Sequence, residues 1–146
     1  MEKIRIKLMR ESSKSPTYAS FGAAGADIYA DIPENIEIFP HATVFIPSGF
    51  AIEIPHGFAG LVYPRSGLAS KRGLAPANKV GVIDSDYRGE VMIAMHNHTD
   101  RSAVIAPGER IAQLVITPVM TPGFAVCDEL SDTARGDGGF GSTGEK

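Results

Sequence analysis

The stretch GVIDSDYRGEV, Gly81 to Val91, sets Asp84 and Asp86 on either side of Ser85 and follows them with Tyr87 and Arg88. A hairpin turn uses one Asp or Asn to bond its own backbone. It has no need of a second carboxylate, an aromatic ring and a guanidinium, so the stretch reads either as an acidic turn or as a site. YPRSGLA, Tyr63 to Ala69, ends a strand at Pro64 and puts Arg65 and Ser66 at the start of a helix-like segment. Unpaired N–H groups there, with arginine and serine donors beside them, suit an anion. The alternative is a serine N-cap next to a surface arginine. Gln113 stands within the otherwise apolar PGERIAQL, and Asp27 sits among the small residues of AAGADIYA. A buried amide or carboxylate needs a partner, which a core contact or a ligand could supply.

The tail RGDGGFGSTG, Arg135 to Gly144, poses the same choice. Gly-rich termini are usually disordered, but a linker has no use for Phe140 flanked by glycines, with Ser142 and Thr143 behind it. Gly136, Gly138 and Gly141 fit G-x-G-x-x-G, yet no strand leads in and no helix follows, so the dinucleotide fingerprint lacks its setting. Arg135-Gly136-Asp137 is too short to carry weight as an adhesion tripeptide. His96 and His98, two apart on a strand, share a face as metal ligands can, but the sequence places no third ligand. The chain has neither a P-loop nor a G-x-S-x-G elbow.

These residues need a frame, and the frame reads as strands. The alternation in KIRIKL and FAIEI has period two, as half-buried strands require. Further strands are expected at 27–30, 36–39, 43–46, 58–63, 79–83, 90–96, 103–105, 110–117 and 124–127. Pro-Gly and Pro-x-Gly corners at Pro47, Pro55, Pro107 and Pro122 separate several of them. Only SGLASK, Ser66 to Lys71, suggests a helix, and a short one. Many short strands at this spacing predict an all-β sandwich, barrel or jelly roll. In EVMIAM, Val91, Ile93 and Met95 take one face while Met92 and Ala94 take the other. Both faces are apolar, so a second layer or another subunit must cover the outer one.

At 146 residues and 43% hydrophobic content the chain is one soluble domain. A net charge of −3 gives no footprint for a polynucleotide. MEKIRIKLMR lacks the apolar core of a secretory signal, and no run is long enough to cross a membrane. The lone Cys127 fits a reducing cytoplasm and reads as a small buried hydrophobe.

AGADIYA, PRSGLA, GVIDSDYRGE, GERIAQL and RGDGGFGSTG, in this order from residue 24 to 144, together resemble the trimeric deoxyuridine triphosphatase (dUTPase) family. Ala26 stands where that family more often has a larger aliphatic residue. The resemblance implies a distorted jelly roll of the β-clip type over 1–130, and a flexible Gly-rich arm, 131–146, closing over the active site. It also implies a homotrimer with sites shared between subunits, and Mg2+-assisted hydrolysis of dUTP to dUMP and pyrophosphate. By the same resemblance Asp84 is the general base that activates water, Arg65, Ser66 and Gln113 contact phosphates, and Gly67 belongs to the substrate site. Asn78, Gly81 and Ile83 belong to the uracil-reading hairpin with a buried amide, Tyr87 lies against the deoxyribose, and Asp86 braces the turn. From the arm, Arg135 meets the γ-phosphate, Phe140 stacks on uracil, and Gly141, Ser142 and Thr143 line the phosphates. Asp27 is expected to reach magnesium through water. The other readings are an enzyme related to dCTP deaminase, which would need a catalytic glutamate, and a non-catalytic nucleotide-sensing β-trimer.

Overall fold

The computed structural model describes residues 3–139. Eleven strands and one short helix run in the order β1 (Arg5–Leu8), β2 (Thr17–Tyr18), β3 (Ala26–Tyr29), β4 (Ile36–Ile38), β5 (Thr43–Glu53), β6 (Phe58–Pro64), α1 (Ser66–Arg72), β7 (Leu74–Pro76), β8 (Gly81–Ile83), β9 (Glu90–Asn97), β10 (Ala103–Ile105) and β11 (Arg110–Pro118). They form a four-stranded sheet, β1-β5-β9-β7, a five-stranded sheet, β2-β3-β11-β6-β8, and a two-stranded ribbon of β10 with β4. All pairings are antiparallel, giving an all-β fold of the jelly-roll type. Alternating residues meet in one core, where Ile28, Ile46, Phe50, Leu74, Ile93, Ile105 and Ile111 are buried.

Three expectations need correction. The corner at Pro47 does not separate two strands; β5 runs through it as a bulge. Pro47 faces Met92 and Ala51 faces Glu90, so Ser48, Gly49 and Phe50 stand opposite Val91 alone. Extra residues on one strand bend it without ending it. Residues 124–127 form no strand, and Phe124 and Val126 are fully exposed because nothing among the described residues pairs with them. Cys127 is likewise exposed and not a core residue. The last strand ends at Pro118, and residues 119–137 lie open to solvent.

The bulge is clamped by charge. Gly49 has φ 77°, and a Cβ there would come within 2.3 Å of Asp31 Oδ2, so both backbone and space require glycine. Asp31, whose side chain is 5% exposed, accepts hydrogen bonds from Arg10 Nε at 2.7 Å and from the Ser12 and Ser13 hydroxyls, each at 2.7 Å. Burial works against ionisation of Asp31, but the three donors outweigh it and hold the carboxyl below its ordinary value. Glu90 is also lowered, chiefly by its hydrogen bond from Arg10 and further by the Gly49 N–H.

A carboxyl depressed in the folded state stabilises fully above its unfolded value, near ~4, and loses that contribution as pH falls through the folded one. Arg10→Ala should therefore cost about 1–3 kcal/mol at pH 7, less than for a fully buried pair because Arg10 is 42% exposed. The variant should also lose less of its Tm than the parent between about pH 5 and 3. Parallel Tm curves for the two proteins over that interval would contradict this role.

Candidate functional site

A cavity of about 260 Å³ opens between β8, the 84–89 hairpin and the outer face of β5 and β9. Asn78, Gly81, Ile83, Asp84 and Tyr87 all line it, with Phe45 and Met92 on the opposite wall. Thus the residues the sequence assigns to base, sugar and water meet in one place. Among the described residues β8 pairs only with β6 and is an edge strand, so its other side offers backbone N–H and C=O groups outside that ladder. Beside it, the Asn78 amide comes within 3.2 Å of where a Cβ on Gly81 would stand. Asn78 is exposed, not buried as expected, because it belongs to the tight 76–80 turn closed by Lys79 N–H to the Pro76 carbonyl.

The hairpin itself is braced by arginine. Arg88 Nη1 donates to the Ser85 carbonyl at 2.7 Å and to the Tyr87 carbonyl at 2.9 Å, and Tyr87 N–H closes the turn on the Asp84 carbonyl. That work was expected of Asp86, which is exposed. The Tyr87 hydroxyl donates to the Glu90 carbonyl at 2.9 Å, and its ring lies against Gly89, where a Cβ would come within 2.4 Å of the hydroxyl oxygen. Asp84 is exposed on the cavity wall, and among the described residues no side chain holds its carboxylate.

A second polar cluster centres on Asp27, which is 2% exposed. Its Oδ1 accepts from Arg65 Nε at 2.8 Å and, more weakly, from Gln113 Nε2 at 3.4 Å; its Oδ2 accepts from Arg110 Nη1 at 3.1 Å. Gln113 faces Asp27 directly across the β3–β11 ladder. Arg110 reaches the same carboxylate because the register shifts between Arg110 and Ala112, which turns the side chain onto the face of Gln113. Arg110 escaped the sequence reading, since alternation alone points it the other way. Arg65 is the N-cap of α1, and no side-chain hydrogen bond caps the helix, so Ser66 is not a capping serine. Ser66 and Gly67 are exposed at the first turn.

Arg65, Ser66, Gly67 and Gln113 do not line the cavity that holds Asp84. Arg135 is exposed and bonds its own loop, Nε to the Gly138 carbonyl at 2.7 Å. Phe140, Gly141, Ser142 and Thr143 lie outside the described residues.

No group of three or more His, Cys, Asp or Glu among the described residues could hold a metal. His96 and His98 do lie side by side, ring centroids 4.4 Å apart, but His96 Nδ1 is engaged by the Thr43 hydroxyl at 2.8 Å. The His98 imidazolium is disfavoured first by burial and then by the nearby His96, Lys79 and His41. Asp27, tied to two guanidinium groups, does not fit the role of direct metal ligand. Among the described residues no helix is long and apolar enough to cross a membrane.

Known proteins fit this geometry. The dUTPase family model matches residues 11–144. A deoxyuridine 5'-triphosphate nucleotidohydrolase of Desulfitobacterium hafniense (strain DSM 10664 / DCB-2) is 50% identical over 145 residues, covering 97% of this chain and 96% of the relative. One from Hydrogenobaculum sp. (strain Y04AAS1) is 44% identical over 144 residues, 99% of each chain. Among solved structures, a Staphylococcus bacteriophage 80alpha dUTPase with dUPNHPP superposes with a TM-score of 0.90 at 31% identity, covering 99% of both chains. With near-complete coverage on both sides, the chain belongs to the dUTPase family, a family of dUTP diphosphatases.

Proposed function

We propose that the chain hydrolyses dUTP to dUMP and pyrophosphate by in-line attack of water on the α-phosphorus, with Asp84 as general base. The observation that carries this reading is the single cavity shared by Asp84, Tyr87 and the open edge of β8. A carboxylate open to the cavity can accept a proton from the attacking water. Positioning and neutralisation of phosphate charge supply much of the remaining barrier reduction. Uracil presents an N3–H donor and an O4 acceptor, and cytosine reverses both. An edge strand whose groups match uracil leaves cytosine unpaired, a mismatch worth ~10⁴–10⁵ in discrimination.

Arg65, Ser66, Gly67 and Gln113 bind phosphate, with Asp27 holding Arg65 and Gln113 in place from beneath. Bound magnesium would supply neutralisation of the triphosphate charge, and Asp27 would reach it only through water; its two guanidinium contacts argue against a closer role. None of these four phosphate-binding residues lines the Asp84 cavity of the same chain, as expected if a second subunit completes the site. The open apolar face supports the same conclusion: Phe45 is 66% and Met92 43% exposed, although Val91, Ile93 and Met95 beneath them are buried. The chain thus works as a homotrimer in which the arm of another subunit, carrying Arg135, Phe140, Gly141, Ser142 and Thr143, completes the site. In the cytoplasm this activity limits uracil in DNA and supplies dUMP for thymidylate synthesis.

Sugar selection follows from Tyr87. In this reading its ring, held over Gly89, packs against C2′ of the sugar and excludes a hydroxyl there. Tyr87→Ala should raise kcat/KM for UTP relative to dUTP by about tenfold or more, the scale of one steric contact in a pocket. An unchanged ratio would make Tyr87 a structural aromatic only.

A further inference from the structure

We propose that Arg10, acting through Glu90, is a positioning residue that fixes the Tyr87 hairpin and thereby the sugar selectivity of the site; this rests on the reading of Tyr87 given above. Arg10 and Glu90 are 80 residues apart in sequence, and neither lines the cavity. The Arg10 guanidinium grips both Glu90 oxygens, Nη1 to Oε2 at 3.2 Å and Nη2 to Oε1. Its Nε is committed to Asp31 at 2.7 Å, so the planar group is held at two edges. Gly49 N–H adds a third bond to Glu90 Oε1 at 2.9 Å, from the bulge of β5. The N-terminal segment is itself fixed on that bulge, with Met9 N–H on the Gly49 carbonyl at 2.8 Å and Arg10 N–H on Ser13 Oγ at 3.0 Å.

The Glu90 side chain is thus anchored on one side while its backbone carbonyl accepts the Tyr87 hydroxyl on the other. Glu90 is the first residue of β9 and the C-terminal foot of the hairpin. Opposite it the β5–β9 register breaks, with the next paired residue at Met92 facing Pro47. Ladder pairing is therefore weakest where the hairpin departs, and the side-chain anchor takes its place. A hydroxyl bonded to a fixed carbonyl holds its ring to one position. Once that carbonyl shifts, the ring can swing away from C2′ and admit a ribose. Base selection, which depends on β8 and its pairing to β6, stays untouched.

The test has two arms on the full chain. Amide hydrogen exchange at Tyr87, whose N–H is bonded to the Asp84 carbonyl, reads the hairpin whatever the substrate. Arg10→Ala and Glu90→Ala should each speed it at least about tenfold while amides of β6 and β11 keep their rates. The second arm compares kcat/KM for UTP, dCTP and dUTP with magnesium. The UTP/dUTP ratio should rise at least about fivefold in both variants, on the scale of one lost hydrogen bond, with dCTP/dUTP held within about twofold. Glu90→Gln keeps an acceptor for the Gly49 N–H and should return both readouts more than halfway to the parent, which guards against a variant that folds poorly. Unchanged exchange at Tyr87 overturns the proposal. So does faster exchange with an unchanged sugar ratio in a protein that prefers dUTP. A parent chain with no dUTP turnover would sink the functional reading instead, and exchange would still decide whether Arg10 holds the hairpin.

Discussion

Asp84→Asn should fold, assemble and bind nucleotide as the parent does, yet lose at least about a hundredfold in kcat, the low end of what a general base contributes. The substitution is close to isosteric. Asp84 is exposed and no described side chain depends on its carboxylate, so stability should stay within about 0.5 kcal/mol. Binding energy from the base edge and the phosphates is untouched, so the loss should appear in kcat with KM nearly constant. An amide cannot take the proton from water. A variant keeping more than about a tenth of parental kcat would remove Asp84 from that role.

Removing the arm should be as damaging, and it can be done so that the damage is repairable. A chain ending after Leu130 should keep its core, because among the described residues 119–137 are exposed and belong to no strand. It should fold and assemble but turn over poorly, since the proposed role of the arm is to close over bound nucleotide. Pairing it with Asp84→Asn separates two architectures. If hairpin and arm come from different subunits, a site works when the truncated chain supplies Asp84 and the Asn variant supplies the arm. Random mixing in equal amounts makes that about one half times one half, so roughly a quarter of sites regain activity. If both parts came from one chain, every site would lack one of them. Verified mixed trimers with no recovery would reject the shared site and leave the chemistry of Asp84 standing.

The residues that line the cavity were more legible in the sequence than the devices that hold them. Asn78, Gly81, Ile83, Asp84 and Tyr87 lie within ten residues, so one local stretch announces one cavity wall. Gln113 stood out as polar in an apolar strand, and its partner across the ladder is Asp27. Arg110 stayed hidden because a bulge reverses its direction, and a bulge leaves little trace in alternation. The Arg10–Glu90 clamp spans 80 residues, which no spacing rule reaches. In β5 the Pro-Ser-Gly corner was sound chemistry assigned to the wrong shape: Gly49 does take a positive φ, but inside a continuing strand. β2 and β7, of two and three residues, are too short for any period to show. Phe124 to Cys127 misled in the opposite sense, with strand-like residues and no strand beside them.

Pyrophosphate release from dUTP, dCTP, dTTP and UTP, each supplied with magnesium, tests the central claim most directly. Hydrogen bonding by the β8 edge predicts release from dUTP, with kcat/KM for dCTP lower by roughly 10⁴ or more. The proposed placement of Tyr87 against C2′ predicts slow release from UTP, and a base pocket fitted to uracil predicts slow release from dTTP, whose methyl group it would have to exclude. No release from dUTP, or equal release from dUTP and dCTP, would contradict the account. Ammonia appearing from dCTP in place of pyrophosphate would point to deamination.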